Sequence, residues 1–203
     1  MPLLDGRRAP LGYRYLSWTK QKEVASSLVG HVISQQAVVS SAGDAAKLLA
    51  FVKPLMGDDP NEKVDADAVP PPIDEDTAAE LGPVSRLVHT FASDSTDGQY
   101  RILKAGVRQA GQGSLRRSPF TLVPVLFAVL KLTRQVRGRL LAGEEVEVGP
   151  TKLLGFASKI VSEMATLAPT LAMRLYLQCA LVADACSDEE TLAYDFMTEA
   201  FTT

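Results

Sequence analysis

Residues 118–139 read SPFTLVPVLFAVLKLTRQVRGR. From Phe120 to Leu130 only Thr121 is polar, and Pro124 is the one other interruption. Ser118 then Pro119 predicts an N-cap followed by proline at the first helical position, where a missing N–H costs nothing. Lys131, Arg134, Arg137 and Arg139 follow, which suits the carbonyl-rich end of a helix. A run this apolar on every side must be enclosed by other elements. It is about half the length that spans a bilayer, so no membrane span is expected. Pro124 has no N–H for a strand ladder, and about twenty residues is long for a strand. The stretch is therefore expected to form the central buried helix, with Phe120, Leu126, Phe127 and Leu130 in the core.

Other segments carry helical periodicity on either side of it. Ser17 is placed to cap a helix to about Ile33, with Val24, Ala25, Leu28, Val29, Val32 and Ile33 as a double apolar row. Residues 41–56 give a second, ended by Pro54 and Gly57. Order resumes near Thr77; Gly82-Pro83 is expected to restart the helix, with Val84, Leu87, Val88 and Phe91 buried. From Thr96 or Asp97, Tyr100, Leu103, Val107 and Ala110 form an apolar row opposite Arg101, Lys104 and Arg108. Gly111-Gln112-Gly113-Ser114 closes that helix. Gly149-Pro150 opens the next, with Phe156 and Ile160 in its stripe, and Ala168-Pro169 opens another, containing Leu175. Ser187 and Glu190 have the spacing of a capping box before a last helix that contains Phe196. Eight helices with short connections predict an all-α fold of about four antiparallel hairpins, a HEAT-like α-solenoid. The whole of residues 1–203 is expected to be one segment of a longer array. The last helix is apolar over a wide face, and a terminal solenoid repeat normally carries a polar outer surface. Missing neighbouring repeats are therefore expected to cover it.

Residues 57–76 break the pattern. They hold eight acids against Lys63 alone, with Pro60, Pro70, Pro71 and Pro72. A mobile, self-repelling acidic loop is expected there. Asp65-x-Asp67 lacks the glycine turn of a calcium loop. The chain as a whole is 46% hydrophobic with a formal net charge of −3, which gives no electrostatic case for nucleic acid. Met1 to Pro10 contains Asp5, Arg7 and Arg8 and no apolar core, so no signal peptide is expected. Cys179 and Cys186 sit seven apart on one expected helix, roughly 10 Å along its axis, too far to bond. Free thiols in a reducing compartment follow.

Catalytic chemistry is hard to find. His31 and His89 are far apart, and the two histidines and two cysteines lack zinc-ligand spacing. His89, Asp94 and Ser95 are too close in sequence for a nucleophilic triad, so His89 is expected to be structural. Gly111-x-Gly113 lacks the Gly-Lys-Ser/Thr of a P-loop. No catalytic residue, cofactor site or metal site is assigned. The charged residues that remain for a partner are Arg116 and Arg117 beside the glycine turn, which could bind an anion, and Lys131, Arg134, Arg137 and Arg139 in the basic tail, which could meet a partner or a lipid headgroup. For each, a solvated role is the simpler reading.

Four blocks in order carry a resemblance: SDSTDGQYRILKAGVRQAG (93–111), SPFTLVPVLFAVLKL (118–132), LAMRLYLQCALVADA (171–185) and ETLAYDFMTEAF (190–201). With the acidic loop and the amphipathic region 20–56, the chain resembles the large α-solenoid subunit of retromer, the vacuolar protein sorting-associated protein 35 family. The match lies in that family's middle-to-late repeats. MRLYLQ at 173–178 is distinct from the arginine-leucine-tyrosine-leucine motif near that family's N-terminus. The resemblance implies a non-enzymatic scaffold of the endosomal cargo-recognition complex, cytoplasmic and peripheral on the membrane. It implies an arrestin-like subunit at one end. At the other it implies a metallophosphatase-fold subunit of the vacuolar protein sorting-associated protein 29 family, which this segment approaches. Protein sorting from endosome to Golgi or plasma membrane is the implied process. An unrelated HEAT-like adaptor is the alternative. A helical GTPase-activating module using Arg134 or Arg137 as a finger is a more remote one.

Overall fold

The computed structural model describes residues 12–59, 75–111, 113–114, 116–188 and 190–203, apart from the side chains of Arg14 and Glu190. The described residues form nine α-helices and two short 3-10 turns. In order the helices are α1 (Trp18–Ser34), α2 (Ala42–Phe51), α3 (Lys53–Met56), α4 (Glu75–Leu87) and α5 (Thr96–Ala110). They continue with α6 (Pro119–Leu141), α7 (Pro150–Ala165), α8 (Pro169–Cys186) and α9 (Glu190–Thr202). From α5 onward each helix packs on the next, and α6 also touches α4 and α8. Earlier, α1 packs on α3 and α4, and α2 on α5. This is the expected all-α helical solenoid, with one contiguous apolar core running through the stack.

Local chemistry explains the helix boundaries. Ser17 Oγ accepts from the Lys20 N–H, Ser41 Oγ from Asp44 and Ser95 Oγ from Gly98. These three caps satisfy N–H groups that the first helical turn leaves orphaned. The expected second helix is two, because the chain bends at Val52 and Pro54 falls in the first turn of α3. α4 corrects the expected restart at Gly82-Pro83: it begins at Glu75 and passes straight through Pro83. Glu75 and Asp76, read as part of the acidic loop, lie in its first turn, where negative charge favours the helix N-terminus. Residues 57–59 of that loop are described, and residues 60–74 lie outside the described residues. So does the Glu189 position in the expected capping box before α9.

α6 is the central helix expected, and its N-cap is not. Ser118 is itself helical, its side chain does not cap the helix, and its N–H bonds back to Ser114 O at 3.0 Å. The turn before the helix closes the end instead. Gly113 is required in that turn, since a Cβ there would stand 2.7 Å from the Met56 carbonyl oxygen. At the other end Gly143 takes φ +79 just beyond the C-cap Ala142. With 23 residues α6 is also long and apolar enough to cross a membrane by length and composition, contrary to expectation. Its apolar faces are spent on α4, α5, α7 and α8.

Leu87, Phe91, Leu103, Leu126, Leu130, Ile160, Leu175 and Phe196 are buried as expected. Phe120 is half-buried. Phe156 is half-buried too, and meets the Tyr100 ring edge-on at 5.5 Å. Phe127 is not a core residue: it is 47% exposed. At the end of the stack two apolar rows stay open. Met173, Leu177 and Leu181 follow one another at i, i+4, i+8 along α8. Tyr194, Met197 and Phe201 do so at i, i+3, i+7 along α9, with Phe201 80% exposed.

Candidate functional site: a groove along the open face of the central helix

Phe127 opens onto a groove of about 840 Å³. One wall is the outer face of α6, where Phe127, Lys131, Gln135, Gly138 and Ala142 recur at helical spacing. The other wall is the segment from Val88 to Ser95 that links α4 to α5, with Thr96 and Gln99 of the first turn of α5. That segment is held rigidly. Val39 N–H donates to Thr90 O at 2.9 Å and Ala92 N–H to Val39 O at 3.2 Å, forming a single parallel bridge between Val39 and Phe91. Gln99 clamps it from α5: its Oε1 accepts from the Ser93 N–H at 2.8 Å, and its Nε2 donates to Phe91 O at 2.9 Å.

The groove mixes an exposed aromatic with charge of both signs. Lys131 and Arg139 supply the cations, and Asp94 and Glu144 the acids. Arg139 Nε lies 3.7 Å from Glu144 Oε2. His89, Asp94 and Ser95 all line the groove, yet no hydrogen bond joins them among the described residues, and Ser95 Oγ is engaged in capping α5. His89 is exposed, which corrects the expectation of a structural histidine. Among the described residues, His89, Asp94 and Ser95 therefore do not form the hydrogen-bonded arrangement of a nucleophilic triad.

The five arginines expected at a partner surface do not converge. Arg117 works inside the molecule. Its guanidinium donates to Leu55 O at 3.2 Å and pairs with Asp58 at 3.3 Å and Glu80 at 3.4 Å. Its neighbour Arg116 is half-buried. Arg137 is bound to Asp188 in the turn between α8 and α9. Arg134 is exposed, on the side of α6 that feels Cys186. Arg139 alone lies in the groove. Lys131, read in the basic tail, does line the groove. Phe127, expected in the core, carried a readable signal of its place: the polar positions Lys131, Gln135 and Gly138 mark an outer face, and Phe127 sits on it at i−4.

Both thiols are free and buried. Burial pushes the Cys179 thiol up to about 12. Burial also raises Cys186, opposed in part by the nearby Arg134 and Arg137. Neither has the depressed pKa of a reactive thiol.

A stack of packed helices with one contiguous core defines an all-α helical-repeat protein. The model of the family "vacuolar protein sorting-associated protein 35" matches residues 6–203, so the chain belongs to that family. It is 30% identical over 196 residues to vacuolar protein sorting-associated protein 35A of Arabidopsis thaliana, covering 95% of this chain and 24% of the relative. It is 31% identical over 198 residues to protein 35C of the same plant, with the same coverage. The Dictyostelium discoideum protein 35 is 25% identical over 179 residues, 84% of this chain. The chain thus spans about a quarter of the length of the curated relatives it matches.

Proposed function

We propose that this chain is a non-enzymatic scaffold segment of retromer, acting in protein sorting from endosomes. Its family membership across residues 6–203 carries the reading. The whole chain acts as one stretch of a longer α-solenoid. The open rows Met173-Leu177-Leu181 and Tyr194-Met197-Phe201 support that, because they offer the apolar flank on which a further helix pair packs. The protein works on the cytoplasmic side, peripheral to the endosomal membrane, without spanning it.

The partner is the metallophosphatase-fold subunit, reached through this segment together with downstream repeats. The Phe127 groove is the surface offered to it, with Lys131 and Arg139 on the rim. An exposed aromatic between charged groups is the make-up of an interface anchor with a polar rim. The test is co-purification of this chain, extended by the helix pairs that follow in longer family members, with the metallophosphatase-fold subunit. Stable association is expected. Failure to associate when the extended chain is folded would overturn the reading.

A further inference from the structure

A second groove, of about 640 Å³, lies between α2 and α5 on a different part of the surface. Its wall on α2 is made of Ala42, Gly43 and Ala46, so a ligand backbone can approach closely. Phe156 of α7 lies at one side, braced by Tyr100. The α5 rim carries Arg101, Lys104 and Arg108, and no acid lines the groove. Arg101 has a loose contact with Glu147 at 3.5 Å, with both side chains two-thirds exposed. Lys104 and Arg108 have no hydrogen-bond or ion-pair partner among the described residues. Lys152 stands 5.8 Å from the centre of the Tyr100 ring and adds a further positive charge nearby. In a chain of net charge −3, this concentration of positive charge is local.

We propose that the α2–α5 groove binds an extended acidic peptide from a partner protein, with acids at alternate positions and small apolar residues between them. The spacing sets the register. At 1.5 Å rise per residue, Arg101 to Lys104 to Arg108 covers about 10 Å of helix in two steps of roughly 4.5 and 6 Å. Alternate side chains of an extended chain repeat every ~6.6 Å on one edge. Two carboxylates two residues apart therefore fall opposite the cation row, and the intervening residue turns inward to the alanine wall and Phe156. Shape selects the peptide over the other anions. A bilayer is flat and cannot reach a floor set between two helices. A nucleic acid strand presents phosphates well beyond the ends of a three-cation row, and the chain's net charge of −3 gives no general attraction for it.

The proposal is independent of the retromer reading, and its test does not use retromer subunits. Fluorescence anisotropy with a labelled peptide of alternating Asp and Ala is the measurement, at low and at physiological salt. Saturable binding is expected, weakening with salt, and falling about tenfold or more in K104E/R108E, since exposed charges that steer and orient a ligand are reversed. K131E, in the other groove, should bind like the wild type. A peptide with the same composition but its acids in one block should bind more weakly. Three results would overturn the proposal: equal binding by K104E/R108E with an unchanged helical spectrum, equal binding of the blocked-charge peptide, or tighter capture by phosphatidylserine vesicles or a single-stranded oligonucleotide than by the peptide.

Discussion

Arg137 and Asp188 form a two-pronged ion pair, Nη2 to Oδ1 at 2.8 Å and Nη1 to Oδ2 at 3.0 Å. It fastens the second half of α6 to the turn between α8 and α9, across fifty-one residues of sequence. Bidentate geometry fixes the guanidinium, and a quarter-exposed arginine side chain is partly shielded from salt. Asp188 is largely in solvent, which limits the gain. A double-mutant cycle with R137A and D188A should give a coupling of about 0.5–1 kcal/mol, shrinking at high salt. Strictly additive effects would show that the pair contributes nothing.

Arg117 should matter more. It joins the turn before α6 to Leu55 O and to two carboxylates, and its side chain is 13% exposed. Arg117→Ala leaves the Leu55 carbonyl without this donor and removes both ion pairs. A loss of about 2 kcal/mol is expected in urea unfolding, whereas Arg134→Ala, on an exposed residue, should change stability by less than about 0.5 kcal/mol. Equal effects of the two substitutions would contradict the internal role of Arg117.

Alkaline pH should destabilise the fold through Cys179. Its thiol is held up to about 12 by burial, above the ordinary value of 9.0. Below pH 9 both the folded and unfolded chains keep the proton, so the group makes no pH-dependent contribution. Between pH 9 and about 12 the unfolded chain loses the proton and the folded one does not, so stability falls as pH rises. Tyr13, pushed up to about 12 by burial, acts in the same direction from pH 10 upward. Cys179→Ala should flatten the decline in unfolding free energy between pH 9 and 10, measured by urea titration. An unchanged slope would show that the thiol is not the group responsible.

Much of this fold is legible in the sequence because helix periodicity and capping are local. Ser17, Ser41 and the start near Thr96 are set by residues within one turn of one another. What was not legible depends on the approach of distant segments. Ser118 next to Pro119 has the look of a cap, yet the backbone is taken up by a turn anchored through Ser114 N–H to Met56 O at 2.9 Å. Arg117 has the look of a solvated turn residue, yet its partners lie 37 to 62 positions away. α6 is apolar nearly all round, so composition predicts burial without saying which face stays open. Leu126 and Phe127 are chemically alike and adjacent, but one residue turns the side chain by about 100°. Leu126 reaches the core at 0% exposure, and Phe127 enters the groove.

That adjacent pair provides the sharpest test. Leu126→Asp buries a charge with no partner and should unfold the protein. Phe127→Asp should leave the melting temperature within about 3 °C of the wild type, as for an exposed position. In the extended chain, the measurement is the affinity of Phe127→Asp for the metallophosphatase-fold subunit. A loss of at least tenfold with unchanged melting is the predicted result, consistent with removal of a central aromatic anchor worth more than about 1.4 kcal/mol. Wild-type affinity from a folded Phe127→Asp chain would contradict the claim that this groove is the partner-facing surface.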